Sequence, residues 1–377
     1  MPFAQLVVGP PGSGKSTYCD GMQQFMNAIG RKCSIVNLDP ANDHTSYTPA
    51  VDVRQLIPLE EVMEAEELGP NGGILYALEE LEDNIEWLED GLKELGEDYV
   101  IFDCPGQVEL FTHHASLRNI FFRLQKFGYR LVVLHMTDSY VLTSPPIYIS
   151  ALLLALRTML QMDLPHLNVL TKIDKLNEYP PLPFNLDFYT EVQDLEYLLP
   201  HLASTMPSAS IPAAKQSTSK PGSESEDDSP RSKFDALNRA IIDLVTDFSL
   251  VGFETLAVED KTSMMMLLRA IDRAGGYVFG GAEGANDTVW QVAMREGATT
   301  MDVRDVQERW IDRRDELDDQ ERNRWEEEAK QLREGPGGTG ITEETKQDVD
   351  SDEDIEAMSR MIERNGIKIV RKSDLTD

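Results

Sequence analysis

Eight residues near the amino terminus, Gly9-Pro10-Pro11-Gly12-Ser13-Gly14-Lys15-Ser16, follow directly on the apolar run Leu6-Val7-Val8. Glycines at this spacing let the backbone wrap a polyphosphate with its N–H groups turned inward. A helix beginning there adds its N-terminal dipole, and Lys15 brings a full positive charge to the β- and γ-phosphates. Ser16 offers a hydroxyl to Mg²⁺. Strand, glycine-rich turn and helix in that order form a phosphate-binding loop. Its expected contacts to a nucleoside triphosphate are Gly12, Ser13, Gly14, Lys15, Ser16 and Thr17.

Three further clusters carry chemistry. Asp103-Cys104-Pro105-Gly106-Gln107 closes a buried strand, where an aspartate can hold Mg²⁺ through its water shell. Gly106 can bring a backbone N–H to a γ-phosphate, and Gln107 stands where a glutamine could orient a water. The plain alternative is a strand-ending turn. Thr171-Lys172-Ile173-Asp174 follows another strand. A carboxylate at Asp174 can accept from the ring N–H and the exocyclic amine of guanine, which adenine cannot match, so it would select GTP. Lys172 would lay its alkyl stem across the base. Thr171 stands where the common GTPase spelling has Asn and cannot reproduce the two-way bonding of an amide, and the tetrapeptide alone is equally readable as a loop. Asp39, in Asn37-Leu38-Asp39-Pro40-Ala41-Asn42, can hold Mg²⁺ or take a proton from an attacking water, with an Asp-Pro turn as the competing reading.

The elements that must position these groups alternate. Strands are expected at Gln5–Val8, Lys32–Leu38, Asp98–Phe102, Arg130–His135 and Leu167–Leu170, each a short apolar or β-branched run. Helical patterns lie between them, near Lys15–Ile29, Gly73–Leu95, Gln107–Phe127 and Ser144–Met162. Such alternation predicts an α/β fold: a three-layer phosphate-loop NTPase with a mainly parallel sheet and helices on both faces. Phosphate chemistry then belongs at the carboxyl ends of the strands.

The first 282 residues read as one nucleotide-binding domain interrupted by Pro207–Ser232, a polar segment expected to be disordered, in which Ser223 and Ser225 precede acidic residues. Folded sequence resumes at Phe234, with a strand near Leu250–Phe253 and a helix through Lys261–Ala274. Residues 283–377 read as a charged extension, helical to disordered. Within it Val306, Trp310 and Leu317 give a weak stripe that fits a marginal or partner-stabilised helix. The net charge of −32, from 67 acidic and 35 basic residues, argues against direct nucleic-acid binding. Three cysteines without CxxC spacing argue against a zinc site or a disulfide framework. No leader and no membrane span are expected. His113-His114, Trp87 and Met264-Met265-Met266 read as surface or packing residues.

With these motifs in order, the chain resembles the GPN-loop GTPases. Leu68-Gly69-Pro70-Asn71-Gly72-Gly73 looks like the insertion that names that family, and Val36–Asn42, Phe102–Glu109, Asn168–Asp174 and Gly276–Phe279 agree with it, over residues 3 to 281. The resemblance implies a dimeric GTPase, a homodimer or a heterodimer with a paralogue, whose sites face each other. Asn71, aimed by Gly69 and Pro70, would reach the partner's phosphate. Hydrolysis would use water placed by Gln107, Asp39 as base or metal-site carboxylate, and Lys15 with Mg²⁺ held by Ser16, Asp39 and Asp103. The family also implies partners among RNA polymerase II subunits or assembly chaperones, and a cytoplasmic protein that shuttles to the nucleus. Two rivals stay open on sequence: a nucleotide or nucleoside kinase, which needs an arginine-bearing lid, and a GTP-gated scaffold with negligible turnover.

Overall fold

The computed structural model describes residues 2–43, 45–205, 230–277 and 303–314, together with 316, 317, 319, 320 and 322. The chain forms two compact units, Met1–Arg314 and Asp315–Asp377, and every strand described belongs to the first. The 282/283 boundary and Ser223 and Ser225 lie outside the described residues. Of the Pro207–Ser232 segment only 230–232 are described, as the start of a helix.

Seven strands make one sheet: β1 (Phe3–Val8), β2 (Cys33–Asn37), β3 (Val51–Asp52), β4 (Tyr99–Asp103), β5 (Arg130–Asp138), β6 (His166–Thr171) and β7 (Phe253–Thr255). Their order is β3-β2-β4-β1-β5-β6-β7, and every pairing is parallel. β1 lies near the centre, with β4 on one side and β5 on the other, so the loop leaving β1 emerges at the middle of the carboxyl edge. β3 was not anticipated; two residues are too few to show a strand period.

Alternation along the strands splits the core in two. Leu6, Val8, Val36, Phe102 and Val133 face one layer of helices: α3 (Pro70–Asp83), α4 (Ile85–Leu95), α5 (Val108–Thr112) and α6 (Ser116–Phe127). Val7, Ile35, Ile101, Val132 and Leu134 face the other, where α1 (Lys15–Ala28) packs beside α11 (Lys261–Gly275). A third cluster surrounds α7 (Pro145–Met162), α8 (Leu186–Glu191), α9 (Leu199–Thr205) and α10 (Pro230–Phe248) at the β6–β7 side. The short α2 (Leu59–Ala65) precedes α3, and α12 (Val303–Gln307) follows the undescribed stretch after residue 277.

Two expected helices are each broken. Gly73–Leu95 becomes α3 and α4, parted at Asn84. Gln107–Phe127 becomes α5 and α6, parted at His113–Ala115. The Gly69–Gly72 segment is not a free turn: Gly69 caps α3, Pro70 is its first residue, and Asn71 lies exposed on its first turn. Proline suits that position because its missing N–H would be unpaired there in any case. The two ends of the unit are tied together. Arg31 bonds Asp272 at 3.0 Å and stacks on Tyr99 and Tyr277.

Candidate functional site

The Gly9–Ser16 loop joins β1 to α1, and close packing fixes its shape. Gly9 has φ of 148°, and a Cβ there would lie 2.3 Å from the Met136 carbonyl oxygen, so no side chain fits. Lys15 Nζ donates to the carbonyls of Gly9 at 3.1 Å and Pro10 at 3.2 Å. Burial pulls the Lys15 pKa below its ordinary value, against the opposing pull of Asp103 and Asp39. Its charge therefore has a strong electrostatic reason to meet an anion.

Asp103 ends β4, in register with Val7 of β1 and Asn37 of β2, which puts it beside the loop. Tyr47 donates to its Oδ2 at 2.7 Å, while Oδ1 is buried with no hydrogen-bond partner among the described residues. Burial raises the Asp103 pKa. Gly106 follows, and a Cβ there would sit 3.1 Å from Lys15 Nζ and 3.3 Å from Pro11 Cα; bare backbone thus lies directly against the loop. Gln107 is half-buried, and its Oε1 is also without a partner among the described residues. Unpaired buried acceptors are costly, and they mark places where a hydrogen-bonding group belongs.

Asp39 enters the same corner on the loop after β2. The Ala41 N–H donates to its Oδ1 at 2.9 Å, and burial raises its pKa. A network not foreseen from sequence holds this loop. Asn42 donates to Ser16 Oγ at 3.3 Å, and Arg54 donates to the Asn42 carbonyl at 2.8 Å while pairing with Asp52. Asn37 donates to Asp52 Oδ1 at 3.1 Å and accepts from the Asp39 N–H at 3.1 Å. The sequence offered no sign of Arg54 or Tyr47 in these roles, because both act across loops rather than within a motif.

Ser16, Asp39 and Asp103 supply hard oxygen donors, which suit Mg²⁺. Among the described residues no group of three or more His, Cys, Asp or Glu side chains is arranged to hold a metal by itself.

The second half of the site lies after β6. Thr171 is buried, and its hydroxyl donates to the Ser13 carbonyl at 2.7 Å, with the Thr137 carbonyl 3.2 Å away. Thr171 thus ties the two loops together from beneath rather than facing outward. Lys172, at φ 59°, sends Nζ to the Gly12 carbonyl and Asp138 Oδ2, both at 2.6 Å, so its stem crosses the loop edge. Ser139 donates to the Lys172 carbonyl at 2.9 Å. Asp174 is half-exposed on the short helical segment Ile173–Glu178. The opposite wall is the loop after β7: Leu256 donates its N–H to Leu170, and Val258 packs on α1 where a Cβ at Gly21 would lie 2.5 Å from it. This wall lacked any motif to announce it.

The structure therefore brings Lys15, Ser16, Asp39, Asp103 and Gly106 into one corner, with Thr171, Lys172 and Asp174 adjoining it. It leaves Asn71 outside that corner, on open surface.

Comparison with known proteins follows the same lines. Residues 7–277 match the family described as "Conserved hypothetical ATP binding protein". The chain is 51% identical over 325 residues to GPN-loop GTPase 2 of Saccharomyces cerevisiae, covering 85% of this chain and 88% of that one. It is 48% identical to GPN-loop GTPase 2 of Schizosaccharomyces pombe, covering 88% and 97%. The zebrafish (Danio rerio) protein of the same name is 45% identical, covering 82% and 93%. The crystal structure of a GTPase in apo form from Pyrococcus abyssi shares the fold, with a TM-score of 0.53 and 21% identity over 73% of this chain and 98% of that one.

Proposed function

This chain belongs to the GPN-loop GTPase family, and from that premise we propose that it is a Mg²⁺-dependent GTPase that works as a dimeric switch in assembly and nuclear import of RNA polymerase II. The observation that carries the hydrolytic part is the buried Asp103 Oδ1 close to Lys15, without a hydrogen-bond partner among the described residues, followed by Gly106 against the loop and by Gln107, whose Oε1 is likewise without a partner there.

Each residue has a physical task. Backbone N–H groups of Gly12–Ser16 and the Lys15 ammonium hold the triphosphate, and Lys15 meets the charge that develops on the leaving oxygens. Gln107 accepts a hydrogen bond from the attacking water and so orients it. Asp39, its pKa raised by burial, is a stronger base than a solvated carboxylate and takes the water's proton or holds metal. Mg²⁺, when bound by Ser16, Asp39 and Asp103, would neutralise phosphate charge. Asp174 reads guanine. The family description speaks of ATP and the relatives' names of GTP; a carboxylate at Asp174 favours guanine on chemical grounds.

The kinase reading needs an arginine-bearing lid. Arg54 instead is paired with Asp52 and donates to the Asn42 carbonyl. Dimerisation and the polymerase client rest on the family resemblance, supported by the exposure of Asn71 at the open start of α3. The acidic balance of the chain suits basic partners better than nucleic acid.

A mixing experiment tests the trans role of Asn71. Asn71→Ala keeps its own phosphate loop, and Lys15→Ala keeps its own Asn71, so each variant is defective alone. The mixture is expected to regain GTP turnover, as measured by phosphate release, with turnover per chain rising with protein concentration. A mixture no more active than the sum of its parts would contradict the dimeric mechanism.

A further inference from the structure

The family match ends at residue 277, yet the described chain resumes at Val303 and packs against the base-reading half of the site. Trp310 is buried to 9% exposure in the cluster that contains Ile173, Leu176, Phe253 and Ala257. Val303, Val306 and Ile311 pack on the same cluster. Polar contacts fix the register: the Leu186 N–H donates to Gln307 Oε1 at 2.9 Å, and Arg304 lies 3.6 Å from Asp187. At the end of this segment Arg314 Nη1 donates to the main-chain carbonyl of Asp174 at 3.0 Å. The guanidinium also lies 6.0 Å from the Trp310 ring centroid. Ile173 on one wall and Leu256 and Ala257 on the other share a small cavity with Val303, Val306 and Trp310. One segment therefore braces both loops that enclose the base position.

We propose that Arg314 and Trp310 are positioning residues for nucleotide-base recognition, acting through Asp174. The inference rests on the reading that Asp174 selects guanine. The physical basis is leverage. Asp174 sits on a short 3₁₀ segment, after a lysine held at positive φ, and such a segment has few internal hydrogen bonds to fix its tilt. A charged donor on the Asp174 carbonyl supplies that restraint, and charge-assisted bonds of this type are the strong ones. Trp310 fixes the position of Arg314 and fills the space behind Ile173. The charged, weakly amphipathic segment beyond the family core is thus functional where it touches the base loop, and its Val306 and Trp310 are covered by the cluster that contains Ile173 and Phe253.

The test compares GTP with ITP, which lacks the exocyclic amine and so makes one fewer bond to the Asp174 carboxylate. Affinities are measured by titration with full-length wild type, Arg314→Ala, Arg314→Lys, Trp310→Phe and Asp174→Ala. Arg314→Ala is expected to weaken GTP by about tenfold, the low end of the loss for one charged hydrogen bond because the effect passes through Asp174, and ITP by clearly less. Arg314→Lys, which keeps a donor, recovers part of the loss, and Trp310→Phe falls between. In an Asp174→Ala background Arg314→Ala has no further effect, as coupled residues require. Equal losses for GTP and ITP, or no loss, while Asp174→Ala collapses the GTP preference, would overturn the positioning role alone. A GTP preference untouched by Asp174→Ala would instead overturn the base-reading assignment on which it stands.

Discussion

The phosphate half and the base half of this site are built in opposite ways. The phosphate half is one contiguous loop, shaped by backbone and pinned at Gly9, where no side chain fits, between strands at the sheet centre. The base half is assembled from Thr171–Asp174, the loop after β7 and a segment ending at Arg314, 140 residues further on. The first is held at its base by the close approach of Gly9 to the Met136 carbonyl. The second depends on side chains reaching across the fold. Charge around a polyphosphate can be met by local N–H groups, whereas discrimination between bases needs separate walls and a fixed carboxylate.

The contrast predicts unequal responses to small changes. The largest belongs to the phosphate half. Gly9→Ala would set a Cβ 2.3 Å from the Met136 carbonyl at φ 148°, a backbone conflict expected to cost about 3 kcal/mol or more. Gly12→Ala, at φ 77° with nothing within 4 Å of its Cβ, carries only the conformational penalty, about 1 kcal/mol. Denaturant unfolding of the two variants reads the difference. Equal costs would mean that close packing does not shape this loop.

A smaller effect tests β5, the strand the two halves share. His135 pairs in register with Val8 on one side and Asn168 on the other. Burial lowers its pKa to about 3 and that of His166 to about 4, against an ordinary 6.5. Both stay neutral when folded, so below pH 6.5 the unfolded chain gains protons that the folded one refuses. Stability is then full above that pH and declines as pH falls towards 4, by about 1–2 kcal/mol per histidine between pH 7 and 5. His135→Leu is expected to remove about half of the dependence, measured as unfolding free energy at the two pH values. An unchanged slope would place the acid sensitivity elsewhere.

The same division decided what the sequence disclosed. Gly9–Ser16 and Asp103–Gln107 were legible because their chemistry is local: glycine, lysine and carboxylate must occur at fixed spacing after a buried strand. The parallel sheet followed from the alternation of short β-branched runs with helical patterns. Tyr47 on Asp103 and Arg54 on the Asn42 loop were illegible, since nothing near either residue indicates what it will face. Thr171 shows the limit from the other side. Its departure from the usual asparagine suggested weaker base contact, whereas its hydroxyl turns inward to hold Ser13. Trp310 gave a faint signal, one aromatic in a charged stretch, but only the fold reveals the apolar cluster it covers.

The most direct test of the account exchanges the base that Asp174 reads. Wild type and Asp174→Asn are compared for hydrolysis of GTP, ATP and XTP with Mg²⁺, as kcat/KM. Xanthine carries an oxygen in place of the exocyclic amine, so an asparagine amide can donate where the aspartate accepted. Wild type is expected to prefer GTP over both others, and Asp174→Asn to prefer XTP, the ratio moving by about a hundredfold. Comparable GTP and ATP turnover by wild type, with a ratio indifferent to Asp174→Asn, would contradict the account.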